Sequence, residues 1–170
     1  PELGRAFVKV MNACGIGVRL LDKERCCGVA KIVNRMTTPA RRDAEINLRS
    51  IRAAVAAGTQ VVGTSSTCIL TMRDEYPNLL GLDNSDVAES INLATRYLFQ
   101  LVDAGKVKLA FRPDFKMRIA YHVPCHMEKL GWSIYSTSLL QMIPGVELVS
   151  LPSQCCGLAG TYGFKRENYK

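Results

Sequence analysis

Two copies of the sequence Cys-Cys-Gly restrict the fold and chemistry of this chain more than any other feature. They occupy residues 26–28 and 155–157, in a chain of 170 residues with seven cysteines. Neighbouring cysteines close a disulfide ring only with strain, so a structural bond within either pair is an uncommon arrangement. A single cysteine is an ordinary small core residue, but two such pairs, each followed by glycine, need another explanation.

The two pairs lie at equivalent places in an internal repeat. Residues 17–28, G-V-R-L-L-D-K-E-R-C-C-G, resemble residues 145–157, G-V-E-L-V-S-L-P-S-Q-C-C-G. In each copy the sequence predicts a helix, then a strand, then the cysteines. We therefore expect both pairs at the C-terminal end of a strand, which is where open α/β sheets bind their ligands.

Predicted strands and helices alternate along the whole sequence. The strands are expected at Val18–Leu21, Thr59–Thr64, Arg118–Val123 and Val146–Val149. The helices are expected at Leu3–Ala13, from Pro39 (with Thr38 as cap) to Ala57, as a turn from Cys68 to near Pro77, from Asp86 (with Ser85 as cap) to Ala104, and at Trp132–Ile143. This alternation predicts an α/β fold with parallel strands and right-handed crossovers.

A polar stretch at residues 105–115 reads as the linker between the two repeated units. We predict a first cysteine-rich unit at 1–112, without its N-terminal cysteine, and a second at 113–170, without its C-terminal part. Each unit is thus truncated, and because the sequence starts without Met we expect a fragment of a longer chain. Hydrophobic residues make up 48% of the sequence, which is enough for a sizeable core.

The formal net charge of +7 fits an anionic membrane surface or an acidic partner protein. Basic residues alternate with acidic ones, as in T-P-A-R-R-D-A-E, and there is no dense Lys/Arg run with interleaved aromatic residues. We therefore predict no nucleic-acid partner. No apolar run approaches the roughly 20 residues of a membrane-spanning helix. In a reducing cytoplasm, cysteines in this number are more often metal ligands or redox centres than disulfides.

The remaining cysteines suggest the rest of a ligand set. A cysteine precedes the second pair and another follows the first, each predicted at the end of a strand, so superposing the copies gives one full unit: Cys, Cys-Cys-Gly, Cys. The predicted ligands are Cys26, Cys27 and Cys68 for one centre, and Cys125, Cys155 and Cys156 for a second.

Thiolates select zinc or an iron–sulfur cluster over hard cations. Gly28 and Gly157 would supply the sharp bend that two adjacent ligands need, since glycine adopts positive φ without steric cost. Gly160 and Gly163 would let the backbone pass close to a bulky cluster. Two alternatives stay open: a zinc-stabilised interaction module without redox work, and a redox protein that uses its paired thiols without metal.

Five further residues flank the predicted ligands. His122 is expected to be a hydrogen-bonded strand histidine, whereas His126, next to a ligand, would support it by hydrogen bonding. Ser65 and Ser66 would either donate to cluster sulfurs or cap the following helical turn. Cys14 is assigned to packing, because the second copy has no counterpart. No acid–base or nucleophilic catalytic residues are predicted.

Three strings identify a family. T-S-S-T-C-I-L-T-M-R-D-E-Y-P (64–77), Y-H-V-P-C-H-M-E-K-L-G-W (121–132) and S-Q-C-C-G-L-A-G-T-Y-G-F-K-R-E-N-Y (153–169) resemble the C subunits of anaerobic glycerol-3-phosphate dehydrogenases. Their paired units are cysteine-rich Cys-Cys-Gly domains, shared with the B subunits of heterodisulfide reductases and with iron–sulfur subunits of glycolate and lactate oxidation systems.

This resemblance implies an electron-transfer subunit that is not itself catalytic. It would carry iron–sulfur clusters of four-iron four-sulfur type and pass electrons from flavin-containing catalytic subunits toward membrane quinone. It would be cytoplasmic, peripheral at the inner face of the membrane. The family pattern ends in C-x-x-C, whereas Cys68 is followed by Ile-Leu-Thr, so the first copy lacks one family cysteine. A glycolate, lactate or heterodisulfide system is the alternative partner.

Overall fold

A computed structural model describes residues 2–159 and 161–168. The chain divides into two compact units, each built from two stretches of sequence. Pro1–Arg19 and Leu93–Gln154 form the unit called here the strand-pair unit. Leu20–Asn92 and Cys155–Lys170 form the other, called the long-helix unit. The predicted boundary between residues 112 and 113 separates the two copies of the sequence repeat, not these structural units, and it stays a prediction.

The helices and strands follow one another in mixed order along the chain. They are α1 (Glu2–Ala13), α2 (Val29–Val33), α3 (Thr37–Ala56), β1 (Val61–Gly63), α4 (Ser66–Leu70), a π-helical turn (Thr71–Glu75), α5 (Tyr76–Leu80), a 3₁₀ turn (Ala88–Ser90), β2 (Ile91–Leu93), α6 (Ala94–Asp103), β3 (Met117–Tyr121), α7 (Cys125–Leu130), α8 (Ser133–Gln141), β4 (Val146–Ser150) and 3₁₀ turns at Tyr162–Phe164 and Arg166–Asn168.

The long-helix unit is organised around α3, which packs against α2 and α5. Three apolar residues that recur along one side of α3, Ala44, Ile51 and Ala54, are buried. The helix therefore forms where its apolar residues recur on one face and cover the core. β1 and β2 pair in a two-stranded sheet. Within the described part of the chain, no helix combines the length and apolarity that crossing a membrane requires.

The strand-pair unit contains a parallel pair of strands. β3 and β4 run side by side in register from Met117 opposite Val146 to Tyr121 opposite Ser150. The connection between them passes through α7 and α8, and α8 packs against both β4 and α6. Strand, helix and parallel strand thus follow in the predicted order, and the α/β class is confirmed.

Two predicted elements are wrong. Residues 18–21 form no strand and run as an irregular segment, because these apolar side chains find no core: Leu20 is 83% exposed. The long helix predicted at 86–104 is split, since Ile91–Leu93 form β2 and only Ala94–Asp103 are helical. All three residues of β2 are buried, the polar Asn92 included, and so short a segment buried on both faces has no periodicity that separates it from a helix.

The predicted helix caps also differ from the structure. α3 begins at Thr37 with Met36 as its N-cap, so Thr38 and Pro39 lie inside its first turn. Ser85 caps no long helix; its backbone N–H donates instead to Oδ1 of Asp83 at 3.0 Å.

Candidate metal centre

The first Cys-Cys-Gly turn, residues 26–28, bends at a left-handed glycine. Gly28 has φ +92° and is the N-cap of α2. A Cβ built on Gly28 would lie 3.7 Å from the Cβ of Ala40 on α3, so the turn sits directly against that helix. The predicted bend is confirmed. The expected position at the end of a strand is wrong, because the preceding segment is irregular.

Cys68 is brought to this turn from a distant part of the sequence. It lies in α4, which follows β1, as the strand-end prediction for this residue requires. Cys27 is buried at 6% exposure, and its thiol and that of Cys68 lie close enough for each to shift the pKa of the other. The structure thus unites Cys27 and Cys68, two of the three cysteines predicted for the first centre.

The contact between these thiols makes them chemically different. The hydrogen bond from Cys27 lowers the pKa of Cys68 to about 6, while the same bond, together with burial, raises the pKa of Cys27. The proton of the pair is therefore held on Cys27, and Cys68 has thiolate character. Cys26 is exposed, and its electrostatic interaction with Cys27 also raises the pKa of Cys27.

Ser65 takes the capping role, one of the two roles left open by its sequence context. It is the N-cap of α4, where its hydroxyl accepts from the backbone N–H of Cys68 at 3.5 Å. The hydroxyl also hydrogen-bonds the Cys68 sulfur, which contributes to its lowered pKa. Ser66 is buried inside α4.

Two buried polar residues that the sequence analysis missed lie beneath the first turn. Asn47 of α3 is 3% exposed and Tyr76 at the start of α5 is 0% exposed. The Asn47 amide hydrogen-bonds backbone atoms of Arg25 and Cys26 as well as the Tyr76 hydroxyl. Asn47 could have been noticed as a polar side chain on the apolar face of α3. The position of Tyr76 depends on tertiary packing, for which the sequence carried no signal.

Burial raises the pKa of Tyr76 well above its usual range. Negative charge on Cys26, Cys27 or Cys68, in their ionised forms, would act in the same direction. Tyr76 is therefore neutral at physiological pH, and all three cysteines of the first set lie close enough to affect its hydroxyl.

The second Cys-Cys-Gly turn, residues 155–157, bends in the same way but is exposed. Gly157 has φ +79°, and its backbone N–H donates to Sγ of Cys155 at 3.4 Å. A Cβ on Gly163 would lie 2.3 Å from the carbonyl oxygen of Gly157. Gly163 therefore permits close approach of the chain to its own turn, and its predicted approach to a cluster stays a prediction. Gly160 lies outside the described residues.

Cys125 opens α7 and belongs to the strand-pair unit, whereas the second turn belongs to the long-helix unit. Cys125 is exposed. His122 lies just after β3 and not in it, but it is hydrogen-bonded as predicted, with Nε2 at 2.7 Å from the carbonyl oxygen of Gln154. His126 lies in the first turn of α7. The second ligand set, Cys125, Cys155 and Cys156, stays a prediction.

Cys14 follows α1, and its backbone N–H donates to carbonyls of that helix.

The donor chemistry around the first turn fits a soft metal. Two thiols are in contact, the third cysteine of the set is adjacent to them in sequence, and one sulfur has thiolate character, which metal ligation requires. Across residues 2–159 and 161–168, no three His, Cys, Asp or Glu side chains are already arranged to hold a metal ion. Binding would therefore require a local rearrangement of these side chains.

Comparison with known proteins gives one family and two kinds of relative. A family described as "Cysteine-rich domain" (CCG) matches residues 1–73 and 119–170, well over half of the chain. The C subunits of anaerobic glycerol-3-phosphate dehydrogenase from Escherichia coli K12 and O157:H7 are each 53% identical over 99% of this chain. The chain spans 42% of the length of these E. coli relatives. The resemblance inferred from the sequence strings is confirmed.

A more distant relative is lactate utilization protein A 2 of Bacillus cereus. It is 26% identical over 97% of this chain and 69% of its own length. No solved structure matches the chain.

Proposed function

Because this chain belongs to the cysteine-rich domain (CCG) family, we propose that it is an iron–sulfur electron-transfer part of an anaerobic glycerol-3-phosphate dehydrogenase. The observation that carries the proposal is the first turn, where Cys27 and Cys68 come into contact beside Cys26. The identity to the glycerol-3-phosphate subunits is 53%, against 26% to the lactate utilization protein. This difference favours the former complex.

Cys26, Cys27 and Cys68 are the residues that would hold the cofactor in the first copy. When bound, an iron–sulfur cluster, of four-iron four-sulfur type in this proposal, accepts and releases electrons one at a time. The protein supplies the thiolates, a bend at Gly28, and burial of Cys27 that limits water at the site. Ser65 adds a hydrogen bond to the Cys68 sulfur, and hydrogen bonds to sulfur are one of the features that set cluster potentials.

The partners in this proposal follow from the electron-transfer role. The chain would not oxidise glycerol 3-phosphate itself; flavin-containing catalytic subunits of the same complex would donate the electrons. Quinone at the inner face of the cytoplasmic membrane would accept them, with the protein bound peripherally. The net charge of +7 supports this location, since a basic surface is attracted to anionic lipid.

The experiment is to purify the protein without oxygen and determine which metal it carries. Iron, zinc and acid-labile sulfide are measured beside the visible absorption spectrum, for the wild type and for Cys26→Ser with Cys27→Ser. We expect a brown protein with iron and sulfide, and a lower content of both in the variant, which keeps the predicted second centre. A colourless protein with stoichiometric zinc would overturn the proposal in favour of the zinc-stabilised interaction module. A protein without metal but with a reducible thiol pair would favour the dithiol redox protein.

The partner is tested separately from the cofactor. The loaded protein is mixed with flavin subunits of a glycerol-3-phosphate dehydrogenase or of a lactate-oxidising system, each with its own substrate. We expect bleaching of the cluster absorption with glycerol 3-phosphate and its flavin subunits. Bleaching with lactate alone would reassign the complex while leaving the electron-transfer role in place.

A further inference from the structure

The side-chain amide of Asn47 contacts both polar groups of one peptide segment in the first turn. Oδ1 accepts from the backbone N–H of Arg25 at 2.8 Å. Nδ2 lies 3.2 Å from the carbonyl oxygen of Arg25 and 3.3 Å from that of Cys26. These contacts fix the backbone immediately before Cys27. A carboxamide can both donate and accept in this way from one planar group.

The backbone of the turn fixes the orientation of that amide, and the Tyr76 hydroxyl adds a buried partner. Nδ2 of Asn47 donates to the Tyr76 oxygen at 3.0 Å, and both residues are almost fully buried. A flipped amide would face the Arg25 N–H with its NH₂ group and the Arg25 and Cys26 carbonyls with its oxygen, so these backbone bonds would be lost. Buried polar groups without partners are unfavourable, so the Asn47 rotamer, and with it the turn, is strongly specified.

These contacts do more than satisfy buried groups. The neighbouring inward positions of α3, Ala44 and Leu48, are apolar and buried, so an amide at position 47 is an exception on this face of the helix. The amide reaches the segment that leads directly into Cys26 and Cys27, and Tyr76 lies close enough to interact with the three cysteines of the first set.

We propose that Asn47, with the Tyr76 hydroxyl as its buried partner, is a positioning residue that sets the backbone of the first turn so that Cys26 and Cys27 can hold a metal together with Cys68. This proposal rests on the proposed function for its metal. Its structural half, that Asn47 fixes the turn, stands on the metal-free protein and is tested there.

The variants separate the contacts of the amide. Asn47→Ala removes all of them. Asn47→Asp retains the acceptor for the Arg25 N–H and loses the donated bonds. Tyr76→Phe removes only the hydroxyl. The matched control is Asn92→Ala, because Asn92 is also a buried asparagine of the long-helix unit, 4% exposed, whose amide donates to Oε1 of Gln60 and to the carbonyl oxygen of Glu89.

The first readout is maleimide labelling of each cysteine in the metal-free protein, resolved by mass spectrometry. Cys27 is buried and reacts only when the turn opens, while exposed Cys26 provides an internal reference. We expect Asn47→Ala to speed Cys27 labelling about tenfold, which corresponds to about 1.4 kcal/mol of opening free energy. Asn47→Asp and Tyr76→Phe should give smaller increases, and Asn92→Ala none.

The second readout is iron and sulfide content with the electron paramagnetic resonance spectrum of the protein purified without oxygen. We expect Asn47→Ala to lose the signal that depends on Cys26 and Cys27, and Tyr76→Phe to retain iron with an altered line shape. Asn92→Ala should match the wild type, even if its stability falls.

The outcomes distinguish the two proposals. If Asn47→Ala labels and loads metal like Asn92→Ala, the positioning role is wrong. If the wild type holds no metal, the proposed function fails, and the labelling rates alone decide whether Asn47 fixes the turn. If Asn47→Ala does not fold, Asn47→Asp and Tyr76→Phe carry the test, and wild-type labelling and spectra in both would refute the positioning role.

Discussion

The two Cys-Cys-Gly turns share a sequence and a glycine conformation, but different parts of the chain hold them. Gly28 and Gly157 both adopt positive φ, +92° and +79°. The first turn lies against α3 and is bonded by the buried amide of Asn47. The second turn is exposed, and its nearest support is the following loop, where Gly163 N–H donates to the Leu158 carbonyl at 3.0 Å.

This difference separates what a short motif specifies from what the fold specifies. The bend is local, because glycine alone makes positive φ inexpensive. Burial, a thiol partner and a buried amide come from residues distant in sequence, here Cys68, Asn47 and Tyr76. In the described residues, only the first turn has all three. We therefore expect it to be the more rigid of the two, and the predictions below test that difference.

The largest expected effect concerns the tyrosines near each turn. Tyr76→Ala should lower the free energy of unfolding by about 3–5 kcal/mol, because it leaves a cavity under the first turn and removes a partner of Asn47. Tyr162, which follows the second turn and is 58% exposed, should change it by no more than about 0.5 kcal/mol when replaced by Ala. Urea unfolding measures both. Equal losses would show that the second turn is also part of a core.

The next effect comes from the glycines of the turns. Gly28→Ala should reduce the free energy of unfolding by about 1–2 kcal/mol, the cost of a left-handed alanine in a turn that cannot relax. Gly157→Ala, in the exposed turn, should cost less than about 1 kcal/mol, because the chain can shift to another conformation. Urea unfolding again gives the values. A larger loss at Gly157 would mean that the second turn is the more constrained one.

Gly163→Ala should act locally. A Cβ there would lie 2.3 Å from the Gly157 carbonyl oxygen, so the loop after the second turn has to move. We expect faster hydrogen exchange at the amide of residue 163, with global stability unchanged within about 0.5 kcal/mol. Gly4→Ala is the control, since nothing lies within 4 Å of a Cβ at that site. Unchanged exchange at residue 163 would contradict the close approach.

The smallest effect is a pH dependence of α3, the helix that holds the first turn. Arg52 of α3 bonds Asp86 at 2.7 Å, and this bond lowers the pKa of Asp86. Because the folded pKa lies below the unfolded one, the contribution is complete above the unfolded pKa and is lost as pH falls through the folded pKa. Asp86→Asn should therefore flatten the fall in stability between about pH 5 and pH 2.

The control for this titration is Asp114→Asn. The pKa of Asp114 is also lowered, by a hydrogen bond from Arg112, but both residues lie in the strand-pair unit. Urea unfolding of the wild type and both variants at several pH values gives the slopes. If Asp114→Asn changes the dependence of unfolding free energy on pH and Asp86→Asn does not, the assignment to the α3 contact is wrong.

The sequence predicted those parts of the molecule that depend on local patterns. The apolar stripe of α3, the β3 and β4 strands and the glycine bends all follow from residue spacing or backbone preference. The split of the predicted 86–104 helix could not be predicted in this way, because β2 exists through its pairing with β1, which is distant in sequence. Residues 18–21 were wrongly predicted as a strand, because a short apolar run has the pattern of a strand whether or not its side chains are buried in the core.

The candidate site also has features that local sequence predicts and others that it does not. Its cysteines were recognised from the repeated motif, and Cys68 was placed after a strand because its sequence context predicted one. The contact of Cys68 with Cys27 depends on how α4 packs, and Asn47 and Tyr76 enter through α3 and α5. Residue spacing carries no information on such contacts, since they are set by how helices pack rather than by the local chain.

The most direct test of the account is the iron and sulfide content, with the electron paramagnetic resonance spectrum, of four proteins purified without oxygen. They are the wild type, Cys26→Ser with Cys27→Ser, Cys155→Ser with Cys156→Ser, and the protein with all four substitutions. The account predicts that the first pair removes one cluster signal and that the combined variant loses every signal that depends on the paired cysteines. Iron, sulfide and spectra that are the same in all four proteins would contradict it, because no Cys-Cys-Gly turn would then hold a cluster.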